Sequence, residues 1–310
     1  MKVLIIGKGV IGTIYGWLFQ NHGFEIVHYS RNTKKNPHHS VQIDIFDKNN
    51  KLPVQAEYVY NITDSLHVDC DLIFISVRHY HLKEALESLP EFNVPILIFG
   101  NVWESLEEVR SKFRKTDKLF FGMPRAGGSI QNGKLVGAVL KEVVLEDREQ
   151  NSDFQKILNL FEKSKRKIQK ISKMQDWYWT HMATTTAWIC GGVRAKGFLP
   201  FANSYDSIKD ALKVGKEAID IAKKRGADIS VCEDSKPFLI PTWFSALIVK
   251  LVLQQDATIR ISEGHGEYAP DEMTKIYEDV LEMGKKLKCK IENLLSYQED
   301  FTRMNDRIAL

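Results

Sequence analysis

The sequence has few of the features that mark membrane, secreted or nucleic-acid-binding proteins. Its four cysteines are scattered through 310 residues without a CxxC pair or metal-ligand spacing, which indicates reduced and mostly buried thiols in a cytoplasmic protein. The formal net charge of +3 is too small to indicate a nucleic-acid partner. The most apolar later run, Phe238 to Leu253, contains Pro241 and Lys250 and is shorter than the ~20 residues of a membrane-spanning helix. We therefore expect no membrane or nucleic-acid partner, and no signal peptide, because a strand pattern begins at Val3.

The length and the pattern of apolar residues predict two domains. A chain of 310 residues exceeds what one hydrophobic core usually supports. In the first half, apolar strand patterns alternate with helical ones, which is typical of βαβ units in a doubly wound sheet. Beyond about residue 150 the pattern becomes helical. We therefore predict an α/β Rossmann-type domain with a doubly wound sheet over residues 1–170, followed by an all-helical domain over 171–310.

Apolar periodicity places the individual strands and helices. The predicted strands cover residues 3–6, 24–29, 41–45, 71–77, 94–100 and 119–123, and a hairpin turns at 131–134. The predicted helices lie at 82–89, near 106–113, and at 175–190, 205–225, 237–255 and 270–296, with a connecting helix through 157–161. Residues 46–57 are interpreted as turn and edge material, and 261–268 as a polar loop punctuated by glycines.

The first predicted strand leads into a glycine-rich turn. This turn has the pattern GxGxxG and consists of Gly7, Lys8, Gly9, Val10, Ile11 and Gly12. Gly7 would allow the tight turn, Gly9 would let the backbone approach a pyrophosphate, and Gly12 would let the next helix lie close to the strand. The free N–H groups of that helix would face the phosphates. A strand before the turn and a helix and second strand after it predict a dinucleotide-binding site.

The second predicted strand ends in a base where many proteins of this type have an acid. NAD-preferring versions normally place Asp or Glu here for the ribose 2′-hydroxyl, whereas Arg accommodates a 2′-phosphate. The strand ends in Ser30-Arg31, so we expect NADPH/NADP+ as the cofactor and Arg31 as the main phosphate ligand. The alternative is that Arg31, Lys34 and Lys35 form a solvated basic loop.

The order of these motifs resembles the ketopantoate reductase (2-dehydropantoate 2-reductase) family over nearly the whole chain. The resemblance is carried by Gly7-Lys8-Gly9-Val10-Ile11-Gly12, Ser30-Arg31, Phe74-Ile75-Ser76-Val77-Arg78, Phe99-Gly100-Asn101 and the hairpin at 131–145. It implies a Rossmann domain followed by a helical domain, and the reduction of a 2-oxo acid to a 2-hydroxy acid by NADPH.

The resemblance also implies roles for two residues that follow predicted strands. Arg78 matches a family Lys that serves the same 2′-phosphate as Arg31, and a guanidinium could bind it bidentately. Asn101 matches a family Asn that contacts cofactor and substrate, and its amide can both donate and accept a hydrogen bond. From the residues alone, Arg78 could instead be a surface residue at a helix N-terminus. Asn101 could likewise cap the helix that runs through Leu106.

The implied reaction needs a proton donor or a cation beside the substrate oxygen, because hydride transfer leaves negative charge there. In the family this group is a Lys on the first helix of the second domain. Here His181 takes that position and Thr185 takes the position of a substrate-binding Asn. His can act as a general acid near neutral pH. It could equally be an ordinary helix histidine among aromatic residues, and Lys173 is a further candidate for the role.

The segment 261–268 supplies the remaining candidates. The family carries a substrate-contacting Ser and a Glu in this region, and Ser262 and Glu267 are the nearest matches, Glu267 as a catalytic residue. His265 with a neighbouring Glu lacks a third ligand at a recognisable spacing, so we predict no metal site.

These features together predict a cytoplasmic, NADPH-dependent enzyme that reduces 2-dehydropantoate to pantoate, or a close 2-oxo acid analogue. One alternative is a hydroxyacid or opine-type dehydrogenase that uses His181 as its acid. Another is a non-catalytic protein that senses NADP. The apolar helical half would also suit a homodimer.

Overall fold

The computed structural model describes residues 1–31, 38–49, 52–113 and 116–309, without the side chains of 264–268 and 307–309. Within this part, the chain divides into two compact units, Met1–Met174 and Gln175–Leu310. Each unit has its own secondary-structure class, so the two are described separately.

Unit 1 contains one large mixed sheet with helices. Its strands are β1 (Lys2–Ile6), β2 (Glu25–Tyr29), β3 (His38–Asp47), β4 (Val54–Thr63), β5 (Leu72–Ile75), β6 (Ile96–Phe99), β7 (Leu119–Met123), β8 (Ala126–Gln131), β9 (Lys134–Val139), β10 (Glu142–Glu146) and β11 (Lys167–Ile171). Its helices are α1 (Val10–Gln20), α2 (Leu82–Glu87), α3 (Leu106–Ser111) and α4 (Phe154–Lys163). The strands are ordered β11-β10-β7-β6-β5-β1-β2-β4-β3-β9-β8.

The centre of this sheet confirms the predicted Rossmann-type fold. Strands β4, β2, β1, β5, β6 and β7 are parallel neighbours, with the order reversing beside β1 as in a doubly wound sheet. The residues of β5 and β6 are entirely buried, which explains their continuous apolar sequence. Because parallel strands end at the same edge, the segments that follow β1, β2, β5 and β6 leave the sheet along one edge.

A hairpin extends the sheet, as predicted. β8 and β9 pair antiparallel from Ala126 with Val139 to Gln131 with Lys134. The two turn residues, Asn132 and Gly133, have φ values of +48° and +75°, which a two-residue type I′ turn requires. β9 then pairs parallel to β3, so the hairpin continues the same sheet.

The interpretation of residues 46–57 as turn and edge material is wrong in part. β3 continues to Asp47, and β4 begins at Val54 and runs antiparallel to it. In β4, Tyr58 and Tyr60 are buried while Val59 between them is exposed, so one face of the strand packs on the core. The Val, Tyr and Ile residues of β4 favour a strand, and burial of one face and the ladder to β3 complete it.

A buried ion pair links two distant parts of unit 1. The Arg166 guanidinium donates from Nη1 to Asp47 Oδ1 at 3.0 Å and from Nη2 to Oδ2 at 2.9 Å. Nη1 also donates to the Leu140 carbonyl at 3.0 Å. The side chains of Arg166 and Asp47 are only 1% and 7% exposed. A bidentate pair of this kind satisfies both charges where water cannot reach them.

Unit 2 is all-helical, which confirms the predicted class of the second part. Its helices are α5 (Met174–Arg194), α6 (Phe198–Asn203), α7 (Tyr205–Lys224), α8 (Lys236–Leu239), α9 (Thr242–Leu253), α10 (Asp256–Tyr268), α11 (Pro270–Lys286), α12 (Glu292–Leu295) and α13 (Gln298–Ala309). α7 packs against α9, α11 and α12 and is buried along one face. None of the described helices combines the length and the apolar character that a bilayer crossing requires.

Three predicted boundaries in unit 2 are corrected. The helix predicted at 237–255 is two helices, because Pro241 separates α8 from α9. The helix predicted at 270–296 ends at Lys286. The predicted loop at 261–268 is the second half of α10, although Gly264 and Gly266 lower its intrinsic helix propensity. The cysteines follow the prediction, since Cys70, Cys190 and Cys232 are buried free thiols.

Candidate functional site

The glycine-rich turn holds β1, α1 and the end of β5 in close contact. Gly7 has a φ of +112°, and a Cβ on it would lie 2.6 Å from the carbonyl oxygen of Ser76. A Cβ on Gly12 would lie 1.8 Å from the carbonyl oxygen of Gly7. The Ser76 hydroxyl donates to that same Gly7 oxygen at 3.3 Å. Both positions therefore require glycine for backbone packing, independently of any ligand.

Gly9 differs from these two glycines. It is the N-cap of α1 with a φ of −75°, and no described atom lies within 4 Å of where its Cβ would be. The first turn of α1 contains neither an acidic residue nor a side-chain cap. The space beside Gly9 at the N-terminus of α1 is therefore open, which fits the pyrophosphate of a dinucleotide. Lys8 is exposed beside this space, and Val10 and Ile11 are half-buried.

At the end of β2, Arg31 contacts an acidic residue, Glu84. Nη1 of Arg31 lies 2.5 Å from Oε1 of Glu84, which is in the first turn of α2. The side chains of Arg31 and Glu84 are 72% and 56% exposed. Arg78 precedes a short 3-10 turn, and its Nη1 donates to the Tyr80 hydroxyl at 2.9 Å. Lys34 and Lys35, the other members of the predicted basic loop, lie outside the described residues.

Asn101 lies directly after β6, and its side-chain oxygen has no hydrogen-bond donor among the described residues. Its Oδ1 is buried and accepts no hydrogen bond from the described residues. The cap of α3 is Ser105, whose Oγ accepts from the N–H of Glu108 at 3.0 Å. The alternative that Asn101 caps this helix is therefore wrong. A buried acceptor without a partner is expensive in free energy, so it favours a ligand that donates to it.

In unit 2, His181 lies on α5 beside an acid. Its Nδ1 is 3.1 Å from Oδ2 of Asp234, and its Nε2 is 3.4 Å from the hydroxyl of Thr185 one helical turn further on. The imidazole stacks on the Trp177 indole, with ring centroids 4.8 Å apart and planes at 14°. In the tautomer with hydrogen on Nδ1, Asp234 accepts that hydrogen and fixes the orientation of the ring. This arrangement can hold and release a proton at Nε2.

Cys232 adds a third donor next to this pair. His181, Cys232 and Asp234 each offer one ligand atom, and these atoms all lie within 4.8 Å of one another. The three residue types are all possible zinc ligands. The hydrogen bond between His181 and Asp234 already accounts for their closeness, so the geometry does not require a metal. The cluster predicted from sequence, around His265, has its side chains outside the described residues.

The remaining predicted residues lie on α10. Ser262 is half-buried there, and none of the described contacts of His181 involves it. The side chain of Glu267 lies outside the described residues.

Sequence reasoning missed two residues of this site. Asp234 is 53 residues from His181, and Glu84 is 53 residues from Arg31. No local motif signals either pairing. Only the position of Glu84 soon after β5 indicates that it lies near the edge of the sheet at which the parallel strands end.

Comparisons with known proteins agree with this fold. Residues 3–149 match the family model described as "Ketopantoate reductase PanE/ApbA". No curated protein sequence matches the chain significantly. A dimeric ketopantoate reductase from Staphylococcus aureus is 12% identical, with 99% of each chain covered and a TM-score of 0.70. A 2-dehydropantoate 2-reductase from Geobacter metallireducens GS-15 is 12% identical over 98% of this chain and 99% of the other, with a TM-score of 0.71.

A dehydrogenase with a different substrate has the same fold. D-mandelate dehydrogenase, in a ternary structure with NADH and anilino(oxo)acetate, is 14% identical over 100% of both chains, with a TM-score of 0.73. Identities this low show a shared fold, whereas the family model adds the match to the glycine turn and to the strands that follow it. The family resemblance found in the sequence is thus confirmed over residues 3–149, which are similar to the ketopantoate reductase PanE/ApbA family.

Proposed function

We propose that this chain is an NADPH-dependent reductase that converts a 2-oxo acid to the 2-hydroxy acid, with 2-dehydropantoate or a close analogue as substrate. The observation that carries the proposal is the pair formed by His181 and Asp234, with Nδ1 and Oδ2 3.1 Å apart. A protein that only senses the cofactor needs no proton donor. A reductase needs one, and the family resemblance implies that His181 takes the position of the family lysine.

Unit 1 holds the cofactor in this proposal. The N–H groups of the turn from Gly7 to Gly12, including those of Lys8, Val10 and Ile11, bind the pyrophosphate at the N-terminus of α1. Arg31 and Arg78 follow neighbouring parts of the same sheet edge and bind the 2′-phosphate. The open space at Gly9 and the unused Oδ1 of Asn101 support this assignment.

The cofactor supplies a hydride to the carbonyl carbon, and the protein must manage the charge left on the carbonyl oxygen. His181 is the proposed donor of a proton to that oxygen, from Nε2. Asp234 keeps the imidazole oriented through the hydrogen bond at Nδ1. In unit 1, the Asn101 amide is the proposed contact to the cofactor, as the resemblance implies. Thr185 and Ser262 are the proposed ligands of the polar groups of the substrate. Glu267 is the third proposed catalytic residue, after His181 and Asn101.

The test is NADPH oxidation by the purified protein, with 2-dehydropantoate and a panel of other 2-oxo acids. The panel includes phenylglyoxylate, because a dehydrogenase acting on mandelate shares the fold. Saturable turnover with any member of the panel supports a reductase. The oxo acid with the highest kcat/KM is then the preferred substrate of the panel. Binding of NADPH without turnover of any oxo acid would instead support the sensor.

We also infer that the chain forms a homodimer through α8 and α9. These helices expose large apolar side chains at helical spacing, namely Leu239, Trp243, Phe244, Leu247, Ile248, Leu251 and Val252. An exposed apolar face of this kind marks an interaction surface. A second copy is the proposed occupant, because a ketopantoate reductase of the same fold is dimeric. The buried free thiols fit the reducing environment of the cytoplasm.

A further inference from the structure

A carboxylate contacts Arg31, the residue that the sequence assigns to the 2′-group of the cofactor ribose. Arg31 comes directly after the end of β2, where proteins of this fold discriminate between NAD and NADP. Its guanidinium is engaged by Glu84, with Nη1 and Oε1 2.5 Å apart. The second oxygen of Glu84, Oε2, lies 3.8 Å from Nδ1 of His81. Glu84 therefore places a negative charge between two basic side chains on an exposed surface.

The Glu84 carboxylate has opposite effects on the binding of the two cofactors. A ribose 2′-hydroxyl can donate a hydrogen bond to it, so Glu84 favours NADH. A 2′-phosphate carries close to two negative charges, so Glu84 repels it and competes with it for the Arg31 guanidinium. Arg31 has the opposite preference. The discrimination therefore depends on a pair of residues from different parts of the chain, and the acid of the pair comes from α2 instead of β2.

We propose that Glu84 is a determinant of cofactor specificity that weakens the preference for NADPH, so that the protein also binds NADH. On NADPH binding, Arg31 leaves Glu84 and turns to the phosphate. On NADH binding, the pair of Arg31 and Glu84 stays intact and its carboxylate accepts the 2′-hydroxyl. This inference rests on the proposed use of a nicotinamide cofactor, but not on which acid is reduced.

The experiment measures dissociation constants of NADPH and NADH for the wild type and for Glu84→Gln, by fluorescence titration at constant ionic strength. The control is Glu87→Gln, since Glu87 is exposed on the same helix and pairs with Lys83 at 3.8 Å. Adenosine 2′,5′-bisphosphate and adenosine 5′-monophosphate serve as further probes, because they differ only in the 2′-group and carry no nicotinamide.

Glu84→Gln is expected to tighten binding of NADPH and of the bisphosphate about tenfold, because the like-charge repulsion is removed. The same change should weaken NADH and the monophosphate by about threefold, since a neutral amide is the weaker acceptor. Glu87→Gln should change none of the four constants.

Equal changes for NADPH and NADH in Glu84→Gln, or no change in either, would overturn the role of Glu84 while leaving the proposed reductase standing. Failure of the wild type to bind either cofactor would overturn both proposals. Cofactor binding without turnover of any oxo acid would overturn the reductase alone, since the titrations still measure the effect of Glu84.

Discussion

His181 and Asp234 form a hydrogen-bonded pair, with Nδ1 and Oδ2 3.1 Å apart across 53 residues of sequence. The pair gives the histidine a fixed orientation, which the stacked Trp177 ring reinforces. A histidine that only filled space on α5 would not need a carboxylate at its side.

Replacing this histidine tests its role directly. His181→Ala should lower kcat by ~10²-fold or more, because no proton donor remains at the substrate oxygen. Asp234→Asn should lower kcat by about tenfold, since the imidazole loses the carboxylate that accepts from Nδ1 and fixes its orientation. Glu233→Gln is the matched control, because Glu233 is exposed and pairs with Lys236 at 2.8 Å. An unchanged kcat in His181→Ala, with NADPH binding intact, would contradict catalysis by this residue.

Two glycines of the turn should respond differently to alanine. In Gly12→Ala, the new Cβ would lie 1.8 Å from the Gly7 oxygen, so the backbone must move and the protein should lose about 1–3 kcal/mol of stability or more. In Gly9→Ala, no described atom lies within 4 Å of the Cβ, so the melting temperature should stay close to that of the wild type. The Gly9 variant should nevertheless bind NADPH about tenfold more weakly, because its methyl group occupies the space of the pyrophosphate. Calorimetry and cofactor titration of both variants measure the two effects, and equal cofactor affinity in Gly9→Ala and wild type would exclude a phosphate at this position.

The buried His28 predicts a loss of stability in mild acid. Burial, with a smaller contribution from the charge of Lys8, lowers the pKa of His28 from 6.5 to about 3. The unfolded chain therefore binds a proton between pH 6.5 and 3 that the folded protein excludes, so the free energy of unfolding falls as the pH drops through this range. At pH 5 the contribution is about 2 kcal/mol below its value at neutral pH.

Urea unfolding at pH 7.5 and pH 5 measures this difference. The His28→Gln variant keeps a polar group near the Tyr58 hydroxyl, which lies 2.9 Å from Nε2 of His28, and should lose less stability than the wild type on acidification. The exposed His67 supplies the control variant His67→Gln, which should behave as the wild type does. Parallel losses in the wild type and His28→Gln would show that His28 is not responsible.

The apolar face of α9 predicts the oligomeric state. Leu251 is 70% exposed on this face, and Leu251→Glu should turn a dimer into a monomer at micromolar concentration. Leu52→Glu is the control, because Leu52 is also exposed but belongs to unit 1. Sedimentation velocity measures the mass of each, and a monomeric wild type would refute the dimer.

Local patterns were sufficient to predict the core of unit 1. The strand β1, the turn after it and α1 follow one another within 20 residues, and each is specified by its own sequence. The type I′ turn at Asn132 and Gly133 was equally local. β4 and α10 were not predicted, because the strand depends on pairing with β3 and the helix contains two glycines.

The residues of the candidate site also divide into those that local patterns predict and those that they do not. The glycine turn, Arg31 and His181 could be found from motifs and from order along the chain. Glu84 and Asp234 could not, because each reaches its partner only after the chain has folded back on itself. The two missed residues are both carboxylates, and a carboxylate on an exposed helix or turn carries no local signal of its partner.

The ion pair of Arg166 and Asp47 bears on how unit 1 folds during its synthesis. Arg166 follows Asp47 by 119 residues, which take roughly ten seconds to translate, and during that time the Arg166 guanidinium is absent. Burial of the charged last residue of β3 is therefore unfavourable until Arg166 has been added to the chain. A fragment cut at residue 149, where the family match ends, would lack Arg166 and β11 and would leave Asp47 without its guanidinium partner.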